Sequence, residues 1–192
     1  SNVVSSITEE TTITLLDNSI TLTQKDDPFN GLSKSSVSWG DFDNDGDKDV
    51  AIMGQSNTTG AFTDIYRNEE GTFSRMDQNF ENMYDGDLSW VDLNKDGFLD
   101  LVYSGSEEWN GGVGVALNDG FGVFLAGNDL FDDRMDYFDT MPNIFAYDLD
   151  QDGDQDIIAI PRVYKLIEDA TWLTSQDKDY AYGFVLINDG TG

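Results

Sequence analysis

SVSWGDFDNDGDKDVAIMG, residues 36–54, holds the pattern that decides the fold. An alternating apolar run leads into a loop crowded with Asp, Asn and Gly, and a second apolar run follows. The pattern returns as DLSWVDLNKDGFLDLVYSG at 87–105 and as NIFAYDLDQDGDQDIIAIP at 143–161. The first loop aspartates are Asp41, Asp92 and Asp148, so the unit recurs at intervals of roughly 50 residues.

The stretches between these loops also align. DIYRNEEGTFSRM (64–76) and GVALNDGFGVFLA (114–126) each read as strand, tight turn, strand. YGFVLINDGTG (182–192) repeats the strand and the turn, and TITLLDNSITLTQ (12–24) reads as the second half of a preceding unit. The expected strands are 36–40, 49–54, 63–67 and 72–76 in one unit, and 87–91, 100–104, 113–118 and 122–125 in the next. A last unit offers 143–147, 156–160 and 183–188. Val, Ile, Tyr, Phe and Trp fill these runs, while Gly, Asn and Asp punctuate them. In the first strands Val37/Trp39, Leu88/Trp90 and Ile144/Ala146 share one face. The second strands, such as Val50-Ala51-Ile52-Met53, are apolar on both faces, which requires cover on both sides.

Radial stacking of small antiparallel sheets supplies that cover. The expected fold is all-β: four-stranded antiparallel blades of a β-propeller, in a partial or open array of about 3.5 blades. The whole of 1–192 is read as one repeat array. It comprises a half blade at 12–24, blades at 36–76 and 87–126, and an incomplete blade at 143–192 carrying an insertion at 162–181. An acidic, aromatic connection, GNDLFDDRMDYFDTMP, fills 127–142.

The loops read D-x-[DN]-x-D-G-x-x-D. Loop 1 offers Asp41, Asp43, Asp45, Asp47 and Asp49; loop 3 offers Asp148, Asp150, Asp152, Asp154 and Asp156. Loop 2 offers Asp92, Asn94, Asp96 and Asp100, has Phe98 at position 7, and includes Lys95. Oxygens at positions 1, 3 and 5 converge when the chain curls, and Gly at position 6 permits the bend. Position 7 contributes a backbone carbonyl, and the carboxylate at position 9 closes the shell. Such an all-oxygen set suits a hard cation, Ca²⁺ first, so three Ca²⁺ sites are expected, the weakest at loop 2. An EF-hand needs an acid at position 12, where this chain has Ile52, Tyr103 and Ala159.

The loop between two strands, followed by a strand ending in Asn-x-x-Gly and an aromatic (Asn68 to Phe73; Asn118 with Gly120-Phe121), resembles the FG-GAP repeat. The related VCBS-type repeats and the β-propeller heads of integrin α-subunits share it. The resemblance implies calcium-binding, four-stranded propeller blades, and it carries no single activity. Adhesion heads, propeller lectins and parts of secreted polysaccharide enzymes all occur within the family.

Composition narrows the function. The 192 residues include 38 Asp+Glu against 10 Lys+Arg, a formal net charge of −28, with no Cys and no His. Thiolate and imidazole chemistry are therefore unavailable within the chain. The acidity opposes binding to nucleic acid, which needs a cationic face, and to anionic lipid. No apolar run approaches a membrane span. Carboxylate pairs abound, yet the prominent ones belong to the loops; Asp132, Asp133, Asp136 and Asp139 read as a solvated acidic loop. Glu107, Glu108 and Trp109, together with Trp172, suggest a sugar platform or a covered blade edge, and Asn57-Thr58-Thr59 fits a glycosylation acceptor. The expected function is a non-enzymatic, secreted or cell-surface, calcium-stabilised adhesion or ligand-binding module. Its partners are a protein or carbohydrate ligand and further repeats of a longer chain or another copy. The alternatives are a lectin-like part of a secreted polysaccharide-processing enzyme and a structural spacer of a large surface protein.

Overall fold

A computed structural model describes residues 10–15, 18–23, 29, 31–78, 81–107, 110–126, 142–161 and 184–188. Among the described residues there is no helix. A hairpin of β1 (Glu10–Leu15) and β2 (Asn18–Thr23) comes first. The first full sheet holds β3 (Ser33–Gly40), β4 (Asp49–Ser56), β5 (Gly60–Glu69) and β6 (Thr72–Arg75). The second holds β7 (Tyr84–Val91), β8 (Asp100–Glu107), β9 (Asn110–Asn118) and β10 (Phe124–Ala126). The third holds β11 (Pro142–Tyr147), β12 (Asp156–Pro161) and β13 (Phe184–Leu186). Each sheet is an antiparallel meander with its strands in chain order, and together they make an open, blade-like array.

Strand register follows the apolar alternation. Val37 pairs with Ile52 and Trp39 with Val50, so these four share a face. The other face of β4 presents Ala51 and Met53. With Phe42 and Ile65 they pack against Leu88, Leu101, Tyr103 and Phe124 of the second sheet. That second sheet turns Val91, Val102, Val113 and Val115 the opposite way, against Ile144 and Ile157 of the third. Each full burial of a Met, Ile or Leu at these seams contributes about 2 kcal/mol relative to exposure. Among the described residues the second strand of the middle sheet, β8, thus faces a sheet on each side, while β4 and β12 each face one.

Polar groups stitch the first strands side by side. Ser36 Oγ donates to Asp87 Oδ1 at 2.9 Å, and the Ile144 amide donates to Asp87 Oδ2 at 3.2 Å. Asp87 of β7 therefore links β3 on one side to β11 on the other. The Trp90 indole adds a bond to the Ser38 carbonyl at 3.2 Å.

Several strands are longer than their apolar runs. β3 and β7 each begin three residues earlier than expected, through a bulge between Ser33 and Ser36 and another between Tyr84 and Asp87. Lys34 and Asp85 sit at these bulges with φ of 49° and 60°, and they form an ion pair at 2.9 Å. Gly86 follows Asp85 because a Cβ there would lie 1.9 Å from the Ser104 carbonyl oxygen. β10 begins later than expected, at Phe124, because Asp119 Oδ1 accepts from the Phe121 and Val123 amides and holds the turn open.

The array has exposed apolar ends. Val37 is 55% exposed, whereas its counterparts Leu88 and Ile144 are buried beneath the preceding sheet. At the far end Phe145, Ile160 and Val185 are exposed on the outer face of the third sheet. Of the 127–142 connection, Pro142 begins β11, and the rest lies outside the described residues. So do the insertion at 162–181, Glu108, Trp109 and Trp172. Asn57 is exposed in the turn joining β4 to β5.

Candidate metal loops

The three aspartate loops share one internal wiring. The position-1 aspartates, Asp41, Asp92 and Asp148, each use Oδ2 to accept the amide of the position-6 glycine. Those glycines, Gly46, Gly97 and Gly153, adopt φ of 97°, 90° and 91°, where a side chain would be strained. The position-5 aspartates, Asp45, Asp96 and Asp152, each accept the amide of position 7. These are the hydrogen bonds of short Asx turns, and they curl the chain so that carboxylates converge.

The position-9 aspartate is a clamp. Asp49, Asp100 and Asp156 are each completely buried. One oxygen of each accepts the amide of position 2, from Phe42, Leu93 and Leu149. The other accepts the amide of the asparagine at or just past the end of the third strand, from Asn68, Asn118 and Asn188. Burial pushes the Asp49 carboxyl up to about 6; the two amides oppose the rise, and the nearby charges of Asp43 and Asp45 add to it. Burial likewise raises Asp100, against its two amide bonds. A position-9 oxygen with one amide bond keeps a second lone pair for a cation.

The loops differ in what is left over. In loop 1, Asp41, Asp43 and Asp49 bring carboxylate oxygens within 4.8 Å of one another, and in loop 3 Asp148, Asp150 and Asp156 do the same. That span fits the shell of an ion bound by oxygens at about 2.3–2.6 Å. Asp41 Oδ1, Asp43 Oδ1 and Asp148 Oδ1 are buried oxygens that accept no hydrogen bond. Buried acceptors seldom go unmet, so these point to a missing partner. In loop 2, Asp92 Oδ1 turns to the Asp96 amide instead, and the Asn94 amide donates to Asp96 Oδ2 at 2.9 Å. Loop 2 has closed on itself.

The position-7 residues have separate roles. Asp47 Oδ2 accepts the Glu70 amide at 2.7 Å, and Phe98 lies where a Cβ on Gly120 would meet its ring at 2.6 Å. Asp154 pairs with Lys95.

Sequence reading missed the contacts between loops. Position 4 is left-handed in all three, at Asn44, Lys95 and Gln151. Its side chain reaches forward: Asn44 Nδ2 donates to the Gly97 carbonyl at 2.9 Å, and Lys95 reaches Asp154. The strand-end asparagines reach backward. Asn118 Nδ2 donates to the Phe42 carbonyl at 2.8 Å, and Asn188 Nδ2 to the Leu93 carbonyl at 2.8 Å. Each seam is thus tied in both directions at equivalent positions. The signal was present as asparagines in phase with the loops, but their acceptors lie on another blade.

Residues 41–103 match the model of the FG-GAP-like repeat. That stretch is similar to an FG-GAP-like repeat. The matched stretch runs from the first aspartate of loop 1 to Tyr103 in β8 and takes in loops 1 and 2. No curated protein and no solved structure matches the chain. Within the FG-GAP-like stretch, the aspartate loop joins the first two strands of its blade, and the position-9 clamp fastens it to the third. No helix among the described residues is long and apolar enough to cross a membrane.

Proposed function

We propose that the chain is a non-catalytic, calcium-stabilised adhesion or ligand-binding module of an extracellular or cell-surface protein. The observation that carries this reading is the set of buried, unmet carboxylate oxygens at Asp41, Asp43 and Asp148, each beside two further carboxylates. Asp41, Asp43, Asp45 and Asp49 would hold one ion; Asp148, Asp150, Asp152 and Asp156 would hold another. Asp92, Asn94, Asp96 and Asp100 would form the weakest of three sites, with fewer charges and a side chain bonded within the loop. A bound Ca²⁺ offsets carboxylate repulsion, and its binding free energy adds to the stability of the fold. The chain's own residues do the rest: the position-9 clamp carries loop rigidity into the third strand, and the strand-end asparagine carries it across the seam.

The partners follow from the exposed surfaces. An acidic surface favours basic or neutral partners, a protein or a carbohydrate. The exposed Val37 and Trp39 occupy positions that are covered in the following blades, which supports seating of a further repeat or another copy. Titration calorimetry with Ca²⁺ tests the metal reading on the chain and on Asp45→Ala, Asp96→Ala and Asp152→Ala. Loss of one ion in each of the first and third variants is expected, with the smallest effect from Asp96→Ala. Absence of any binding heat or melting shift in the parent chain would refute it.

A further inference from the structure

The two loops richest in carboxylate each hold a basic side chain that supplies none of the expected ligands. Arg67 Nε lies 2.9 Å from Asp43 Oδ2, and its guanidinium stands 5.5 Å from the ring centroid of the buried Phe42. Lys95 Nζ contacts Asp154 Oδ1, on a side chain only 6% exposed. The two cations come from unrelated places. Arg67 precedes the strand-end asparagine of its own blade, where the equivalent residues are Leu117 and Ile187. Lys95 comes from loop 2 and crosses the seam into loop 3; its equivalents are Asn44 and Gln151. Loops 1 and 3 carry five aspartates each and receive a cation; loop 2 has three aspartates and one asparagine, and its amide folds onto Asp96.

Resting on the calcium reading above, we infer that Arg67 and Lys95 are resident counter-ions that hold loops 1 and 3 in shape without metal and lower their affinity for divalent ions. Arg67 neutralises Asp43, one of the expected ligands, and Lys95 neutralises Asp154 beside the ligand set, which steadies the metal-free loop. Each also places a positive charge close to the expected ligands, so ion binding works against it. Because Lys95 belongs to loop 2, it makes the affinity of loop 3 depend on the conformation of its neighbour.

The test uses the whole chain. Arg67→Leu and Lys95→Gln place at each position a residue that the other blades tolerate; Arg67→Lys and Lys95→Arg keep the charge. In chelator both neutral variants should melt below the parent. In Ca²⁺ titrations one site in each should tighten by about three- to tenfold, the effect of removing one like charge a few ångströms away. The charge-keeping variants should hold parental affinity. A role limited to packing would lower melting with and without calcium and leave affinity unchanged or weakened, and that result overturns the inference. Failure of the parent to bind calcium would sink the calcium reading together with it. Parental binding with unaltered affinity in both neutral variants sinks this inference alone.

Discussion

Replacing Asn118 by alanine tests whether the blades are tied through their loops. Asn118 is 2% exposed. Its Nδ2 donates to the Phe42 carbonyl across the seam at 2.8 Å and to the Leu99 carbonyl at 3.1 Å, while its Oδ1 accepts the Gly120 amide at 3.0 Å. The Asn118→Ala change strips all three bonds and leaves the bond from its own amide to Asp100 intact. Each lost bond costs about 1 kcal/mol, and a backbone group left dry and unpaired costs about 1–3 kcal/mol. The sum is about 3–5 kcal/mol, a large share of the 5–15 kcal/mol typical of a domain. Asn68 supplies the control: its Nδ2 donates to the Lys48 carbonyl and its Oδ1 accepts the Gly71 amide, both in exposed surroundings. Asn68→Ala should cost about 1 kcal/mol. Urea unfolding at fixed calcium, followed by intrinsic tryptophan fluorescence, to which the seam residue Trp90 contributes, reads both. Equal losses in the two variants, or a loss below about 1 kcal/mol for Asn118→Ala, would refute the tie.

Two further predictions concern backbone and charge. Gly86→Ala drives a methyl into the Ser104 carbonyl and should prevent folding or cost more than about 3 kcal/mol, whereas Gly46→Ala, with open space around it, should cost only about 1 kcal/mol of backbone strain; paired thermal melts decide. Asp64, bound by Arg75 at 2.5 and 2.9 Å, has its carboxyl raised because burial outweighs the guanidinium. A raised folded value means that its contribution is full below the ordinary carboxylate range and is lost as pH rises through the folded value. The stability of the parent relative to Asp64→Asn should therefore fall as pH rises above the ordinary carboxylate range in urea melts, and a rise would contradict this.

The loops and sheets were legible because they rest on short-range chemistry. Asp, Asn and Gly at fixed spacing set the turn, and alternation at Leu88/Trp90 and Ile144/Ala146 set the register. The double-sided apolar runs of β4 and β12 announced stacked sheets. The bulges were not legible, since Lys34 carries no left-handed signal and Asp85, of a type that does visit that region, is one of many aspartates in the chain. The position-9 aspartates were read as metal ligands only. Their second role, clamping the amides of Phe42 and Asn68 or of Leu93 and Asn118, depends on where the third strand lies. The same is true of Arg67 and Lys95, whose importance comes from a carboxylate that packing brings to them. Leu117 and Ile187 at the Arg67 position show that the fold itself does not require the charge.

Thermal unfolding of the whole chain, in millimolar Ca²⁺ and then in chelator, tests the central claim most directly. If aspartate loops hold calcium and lock the stacked sheets, the midpoint falls on chelation and returns when calcium is restored. An identical midpoint under both conditions would contradict it.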